Sequence, residues 1–246
     1  MRLILIHGAW QGSWAWSRFL PVVAEAGFRA EAIDLPGNGS DLTPPAAVSL
    51  DRYVAHVGDR IQSDDDPVVL MAHSGGGVIA SQVAERFHDR VTGVVYVAGM
   101  MLPNGGTFGD MVAPLAADHP DAAGIRPHLV WSPDGLTSTV PTDAALQIFY
   151  HDCAPDDAEA ACARLTPQPE GGRAVSPRLT PKRFGTIPRL YVETRQDRSV
   201  VLAAQRRMQV MVPGAAVVSL DSGHAPQLSM PEKLAGCVFP WLRSRR

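Results

Sequence analysis

Short apolar runs recur at Leu3–Ile6, Arg29–Ile33, Val68–Ala72 and Val91–Val97, each bounded by Gly, Pro or charge and separated by stretches long enough for a helix. A strand with one wet face alternates polar and apolar residues, whereas largely continuous apolarity is what parallel strands buried on both faces require. Parallel neighbours cannot be joined by a tight turn, so each such run demands a crossover, usually a helix. The segment Ser49–Gln62 supplies one, with Leu50, Tyr53, Val54, Val57 and Ile61 on one face and Ser49 available as N-cap. Two further strand candidates, Arg189–Glu193 and Ala216–Leu220, flank a helix around Val201–Val210, and Pro231–Arg243 reads as a last helix with proline in its first turn. The pattern predicts an open, doubly wound, mostly parallel α/β sheet interrupted by one insertion.

The interruption is marked by proline. Of 21 prolines, 12 fall between Pro103 and Pro188. The rhythm therefore divides the chain into a core of residues 1–101 and 189–246 and an insertion of residues 102–188. Within the insertion one helix is clear, Pro155–Leu165, with Asp156 and Asp157 at its positive end, and the remainder reads as turns and short segments. Apolar residues such as Met111, Leu129, Val140, Phe149 and Tyr150 argue for a cap or lid rather than a linker.

A length of 246 residues with 46% hydrophobic and 19% charged residues suits one globular domain plus a modest insertion and excludes a disordered chain. The net charge of −3 offers no basic field for nucleic acid or an anionic membrane. Cys153, Cys162 and Cys237 are too few and scattered for a metal knuckle or disulfide framework and read as free thiols, which places the chain in the cytoplasm. The apolar run at the N-terminus is too short for a leader, and no stretch approaches the ~18 residues of a membrane span.

The chemistry is expected where the run Val68–Ala72 enters Ala72-His73-Ser74-Gly75-Gly76-Gly77 and then a helix over Val78–Phe87. A serine at a strand-to-helix turn, with small residues two before and two after, is a nucleophile elbow, because larger side chains at Ala72 and Gly76 would collide. Neither phosphate-loop spacing nor a dinucleotide fingerprint competes, since the Gly37-Asn38-Gly39 stretch meets Leu42 where a glycine is needed. Serine is inert without a base, and the base needs a carboxylate to orient it. In the order serine, acid, histidine, His224 of Asp221-Ser222-Gly223-His224 follows the last strand candidate, and Asp197 follows the strand ending at Glu193. The oxyanion donors would be the backbone N–H groups of Gly75 and of Ala9, in the turn His7-Gly8-Ala9-Trp10 after the first strand.

These residues, together with Gly12-Ser13-Trp14-Ala15-Trp16 and Asp34-Leu35-Pro36-Gly37-Asn38-Gly39, resemble the α/β-hydrolase superfamily over nearly the whole chain. Within it the chain is similar to the small branch of plant methyl esterases, hydroxynitrile lyases and their bacterial esterase relatives. The resemblance implies a Ser74–His224–Asp197 triad and an ester hydrolase without cofactor or metal. The lyases of that branch carry threonine where this chain has Gly8 and lysine where it has Ala225, which argues against lyase chemistry. A lactone, amide or carbamate hydrolase, or a receptor-like binding module with a silent triad, remains an alternative on the same residues. The expected substrate is a small to medium hydrophobic ester. Candidate pocket residues are Trp10, His73, Met100, Met101, Met111, Val140, Phe149 and Ala225, with ordinary core packing an equal alternative for each. Neither nucleic acid nor membrane is expected as a partner, and a homodimer is left open.

Overall fold

The computed structural model describes residues 1–245. Strand β1 (Arg2–Ile6) leads through α1 (Phe19–Glu25) to β2 (Arg29–Ile33), and α2 (Leu50–Gln62) crosses to β3 (Val68–His73). Helix α3 (Gly76–Arg86) and β4 (Val91–Val97) follow. The chain then leaves the sheet, forming α4 (Phe108–Val112), β5 (Val130–Trp131), β6 (Thr137–Thr139), α5 (Thr142–Ile148), α6 (Pro155–Cys162), β7 (Gln168–Pro169) and α7 (Glu170–Arg173). It returns through β8 (Arg189–Thr194), α8 (Leu202–Met211), β9 (Ala215–Leu220), α9 (Pro226–Ser229) and α10 (Pro231–Arg243).

The main sheet has the order β2-β1-β3-β4-β8-β9, with every pair parallel. Alternate residues divide between its faces. Ile4, Ile6, Leu70, Ala72 and Val94 pack with Tyr53, Val57 and Ile61 of α2 and Ile79 and Val83 of α3. Leu3, Leu5, Val69, Met71 and Val95 pack with Phe19 and Val23 of α1 and Leu234, Val238 and Leu242 of α10. Both faces are covered over β1, β3, β4 and β8, whereas the outer strands β2 and β9 are partly exposed, and β2 alternates Arg29 and Glu31 with Ala30 and Ala32, so the two-face burial expected of Arg29–Ile33 does not hold at the sheet edge. Helix α2 begins as its sequence requires, Ser49 Oγ accepting from Arg52 N at 3.2 Å. Strand order reverses direction between β1 and β3, and in open α/β sheets such a switch point leaves a crevice outside the carboxyl ends of the strands.

The segment between β4 and β8 is more ordered than its sequence suggests. Alongside α6, which ends at Cys162, it holds three other helices and an antiparallel sheet β5-β6-β7. These strands are two or three residues long, too short for any period to register, and β7 ends on a proline. No helix among the described residues is long and apolar enough to cross a membrane.

The loop after β2 is closed by a carboxylate. Asp34 accepts from Ser13 N at 2.5 Å, Ser40 N at 3.0 Å and Ser40 Oγ at 2.6 Å. Partial burial opposes its ionisation, but the Ser40 and Ser13 donors together outweigh that and hold the carboxyl at about 2. A folded value below the unfolded one means that this contribution is present above the unfolded value and is lost as the pH falls through the folded one. Asp34→Asn is therefore expected to lower the urea midpoint at neutral pH, with the gap to the parent protein narrowing between about pH 4 and about pH 2. A gap constant across stepwise acidification would contradict this account of the loop.

Candidate active site

Ser74 occupies the turn from β3 into α3 with φ 51°, a left-handed conformation held by hydrogen bonds on both sides. Its N–H donates to Val97 O at 3.2 Å, and its carbonyl accepts from Gly77 N at 3.0 Å and Met100 N at 2.8 Å. The turn is packed against the loop that leaves β1. A Cβ on Gly76 would lie 2.5 Å from the carbonyl oxygen of His7, and one on Gly8 would lie 3.0 Å from Ser74 Cβ. At Gly76 the opposing backbone leaves no room for a side chain, and at Gly8 the Ser74, His73 and Gln11 side chains would have to give way. Helix α3 starts at Gly76, two residues ahead of the Val78 expected from the sequence.

His224 and Asp197 are brought together from the loops after β9 and β8. His224 Nδ1 lies 2.8 Å from Asp197 Oδ2, with both side chains buried. Since a carboxylate only accepts, Nδ1 carries the proton and Nε2 of the neutral ring is the acceptor. Asp197 also accepts from Thr194 Oγ1 at 2.9 Å, Ser199 N at 2.7 Å and Val200 N at 2.9 Å, donors that offset the cost of burying a carboxylate. Phe149 stacks on the His224 ring with centroids 5.4 Å apart. Among the described residues no hydrogen bond joins His224 to Ser74 Oγ. Such bonds are commonly long before substrate is bound and tighten around it.

Ala9 and Gly75 are neighbours across the same turn, a Cβ on Gly75 lying 3.8 Å from Ala9 N. Neither N–H is used as a donor among the described residues, and both residues line the cavity beside Ser74. The cavity has a volume of about 300 Å³ and runs from the turn at Ser74 up to the segment that follows β4, its apolar wall including Val78, Ile79, Leu102, Phe108 and Ile125.

Of the eight candidate pocket residues, Trp10 and Met100 line this cavity. The other six do not. His73 is fully buried: its Nε2 donates to the carbonyl of His224 at 2.8 Å and its Nδ1 lies 3.0 Å from the Gln11 amide, while burial, followed by the neighbouring His224, keeps it neutral far below the usual histidine range. Met101 belongs to the core under α2 and α3, and Met111 packs with Val200 and Met208. Phe149, Ala225 and the half-buried Val140 pack behind the wall, in one cluster with Trp14, Tyr150 and the cavity residues Trp10 and Ile125. Apolar residues near a site are shared between its wall and the packing behind the wall, and sequence carries no signal that sorts them.

Sequence reasoning also missed Asp152, a residue of the insertion that reaches the histidine loop. Its Oδ2 accepts from Gly223 N at 2.7 Å and from Ser229 Oγ at 3.0 Å, tying the residue before His224 to the first turn after it. The Tyr150-His151-Asp152-Cys153 sequence contains the carboxylate, but nothing in the spacing says that its partner lies 71 residues on.

A model of the alpha/beta hydrolase family matches residues 3–236. The chain belongs to this family. It is 30% identical to a pyrethroid hydrolase of Sphingobium wenxiniae, covering 96% of this chain and 85% of that one. It is 26% identical to methylesterase 7 of Arabidopsis thaliana, covering 97% and 95% respectively, and it spans 54% of a longer chloroplastic methylesterase relative from the same plant. The crystal structure of a pyrethroid hydrolase from Sphingobium faniae superposes with a TM-score of 0.85 at 27% identity, covering 99% of this chain and 98% of the other. In this hydrolase-family chain the histidine loop depends on an acceptor from outside it. Asp152→Ala would leave Gly223 N and Ser229 Oγ without their acceptor and is expected to cost about 1–3 kcal/mol, whereas Asp152→Asn, which keeps one carbonyl oxygen, should cost less. Thermal denaturation of the two variants beside the parent checks the order.

Proposed function

We propose that the chain is a serine carboxylesterase that cleaves a small to medium hydrophobic ester through an acyl-enzyme. The observation that carries this reading is the strained Ser74 at the strand switch point, next to two backbone N–H groups without a protein acceptor. The buried His224–Asp197 pair lies in the adjoining loops, and the pyrethroid hydrolase and methylesterase relatives give it further support.

In the first half-reaction Ser74 Oγ attacks the ester carbonyl carbon as its proton passes to His224 Nε2. The carbonyl π pair moves onto oxygen, and the N–H groups of Ala9 and Gly75 take up the developing charge, each such donor being worth about 3 kcal/mol in the transition state. The C–O bond to the alcohol then breaks as His224 returns its proton to the leaving oxygen. Water repeats the sequence on the acyl-enzyme, with His224 as base, and releases the acid and Ser74. Asp197 stays ionised throughout, fixing the tautomer and stabilising the imidazolium. His73, neutral and holding the His224 carbonyl, adds no competing charge beside the base.

Residues 102–188 act in this reading as a cap over Ser74, supplying Phe108 and Ile125 to the apolar wall that favours a hydrophobic acyl or alcohol group. The reaction needs neither metal nor organic cofactor. The three free thiols support a cytoplasmic setting.

Replacing Ser74 by alanine is expected to lower kcat on p-nitrophenyl butyrate by about a thousandfold or more, with an unchanged circular dichroism spectrum and loss of labelling by a fluorophosphonate. Turnover at the parent rate in that variant would sink the assignment.

A further inference from the structure

Two charged side chains line the cavity beside Ser74, and both are arginines, Arg126 and Arg173. No aspartate or glutamate lines it among the described residues. Arg173 is already neutralised within the protein. Its Nε lies 2.8 and 2.9 Å from the two carboxylate oxygens of Glu170 and its Nη2 lies 2.6 Å from one of them, while the guanidinium sits over Trp10 and Trp131, 5.6 Å from each ring centre.

Arg126 is in the opposite situation. It opens the short turn Arg126–His128 in the insertion, and its guanidinium lies against the start of α4, since a Cβ on Gly109 would be 3.8 Å from Arg126 Nη1 and 3.5 Å from Thr107 Oγ1. Thr107 and Gly109 line the same cavity. The carboxylate on α4 turns to its own helix start and forms no ion pair with Arg126: Asp110 Oδ2 accepts from Thr107 N at 2.8 Å and Thr107 Oγ1 at 2.7 Å, closing the cap of that helix. No hydrogen bond or ion pair joins the Arg126 side chain to another described residue. A guanidinium does not lose its proton in a protein, so Arg126, which is exposed, places a permanent cation with unused donors at the solvent side of the cavity that holds Ser74. From there it can reach a ligand that extends out of the apolar part of the cavity, and the guanidinium fork matches the two oxygens of a carboxylate. A wholly apolar ester would use none of this.

We infer that the ester cleaved here carries a carboxylate at the end remote from the scissile carbonyl, and that Arg126 receives it. The inference rests on the esterase reading of Ser74 and deepens it from a hydrophobic ester to an amphipathic, anionic one. The apolar wall at Val78, Ile79 and Phe108 then holds the connecting hydrocarbon. Arg126 is a specificity residue on this account, not a catalytic one.

Matched substrates test it. Methyl octanoate and monomethyl suberate differ by a terminal carboxylate on the acyl side; hexyl acetate and 6-acetoxyhexanoate differ by one on the alcohol side. In Arg126→Gln the ratio of kcat/KM for the carboxylate member over its neutral partner is expected to fall about tenfold or more in one of the pairs, mainly through KM. Arg126→Lys should fall between, keeping the charge and losing the fork. Added salt should shrink the parent protein's ratio. Calorimetric binding of monomethyl suberate and 6-acetoxyhexanoate to the Ser74→Ala protein, with and without Arg126→Gln, reads the same contact without turnover. Ratios that stay within about twofold in both pairs, with binding also unchanged, would overturn the role of Arg126 while leaving the esterase standing. If no ester is hydrolysed but carboxylate binding still depends on Arg126, the esterase reading fails and the anion site survives.

Discussion

A non-glycine residue in the left-handed region costs about 1–2 kcal/mol, and Ser74 is held there by its surroundings rather than by its own preference. Its N–H and carbonyl are both engaged across β4, and the two glycines that face it, Gly8 and Gly76, let the β1 loop come within van der Waals reach. The sheet order makes this geometry useful. Because β1 and β3 are adjacent and their connections run to opposite sides, the loop bearing Ala9 and the turn bearing Ser74 emerge side by side at the switch point. Ala98, with φ 46°, repeats the same backbone economy at the end of β4, where Met100 closes onto the Ser74 carbonyl.

The parts of this architecture that were legible in the sequence are those in which one physical requirement dominates a stretch of residues. Burial on both faces leaves the strands β1, β3 and β4 little choice but near-continuous apolarity, and α10 begins at Pro231 and ends at Arg243 as its proline and its periodic apolar residues dictate. The turn at Ser74 was legible for a related reason, since a steric rule fixes the residues on either side of it. Illegible were features made by contacts between distant short segments. Strands of two residues in the small sheet, the division of methionines between cavity wall and core, and the reach of Asp152 to Gly223 each depend on where the chain returns to, and local composition does not encode that.

Burial sorts the histidines as well. His7 is lowered to about 4 by burial, its Nδ1 lying 2.7 Å from Gly8 O and its Nε2 accepting from Leu35 N at 3.1 Å, so it serves as a neutral strut between the β1 and β2 loops. His73 does similar work between the β3 turn and the His224 carbonyl. Three rings of one chemical type thus lie near Ser74, and of the three only His224 hydrogen-bonds a carboxylate.

Trp10 also has a left-handed backbone, φ 62°, and its hydrogen-bond partners come from residues 138–168. Its N–H donates to Gln168 Oε1 at 3.0 Å, its carbonyl accepts from Thr166 N at 2.9 Å, and its indole N–H reaches Ser138 O at 3.1 Å. The segment that interrupts the sheet therefore holds the loop next to Ser74 in place, as a jig holds a part. A grafted insertion from a relative would have to bring acceptors and donors that fit Trp10 and Gly223, or the loops beneath would relax toward ordinary backbone angles. Sequence change in this segment is thereby constrained from below, by the core it touches, as well as from within by whatever molecule the cavity holds.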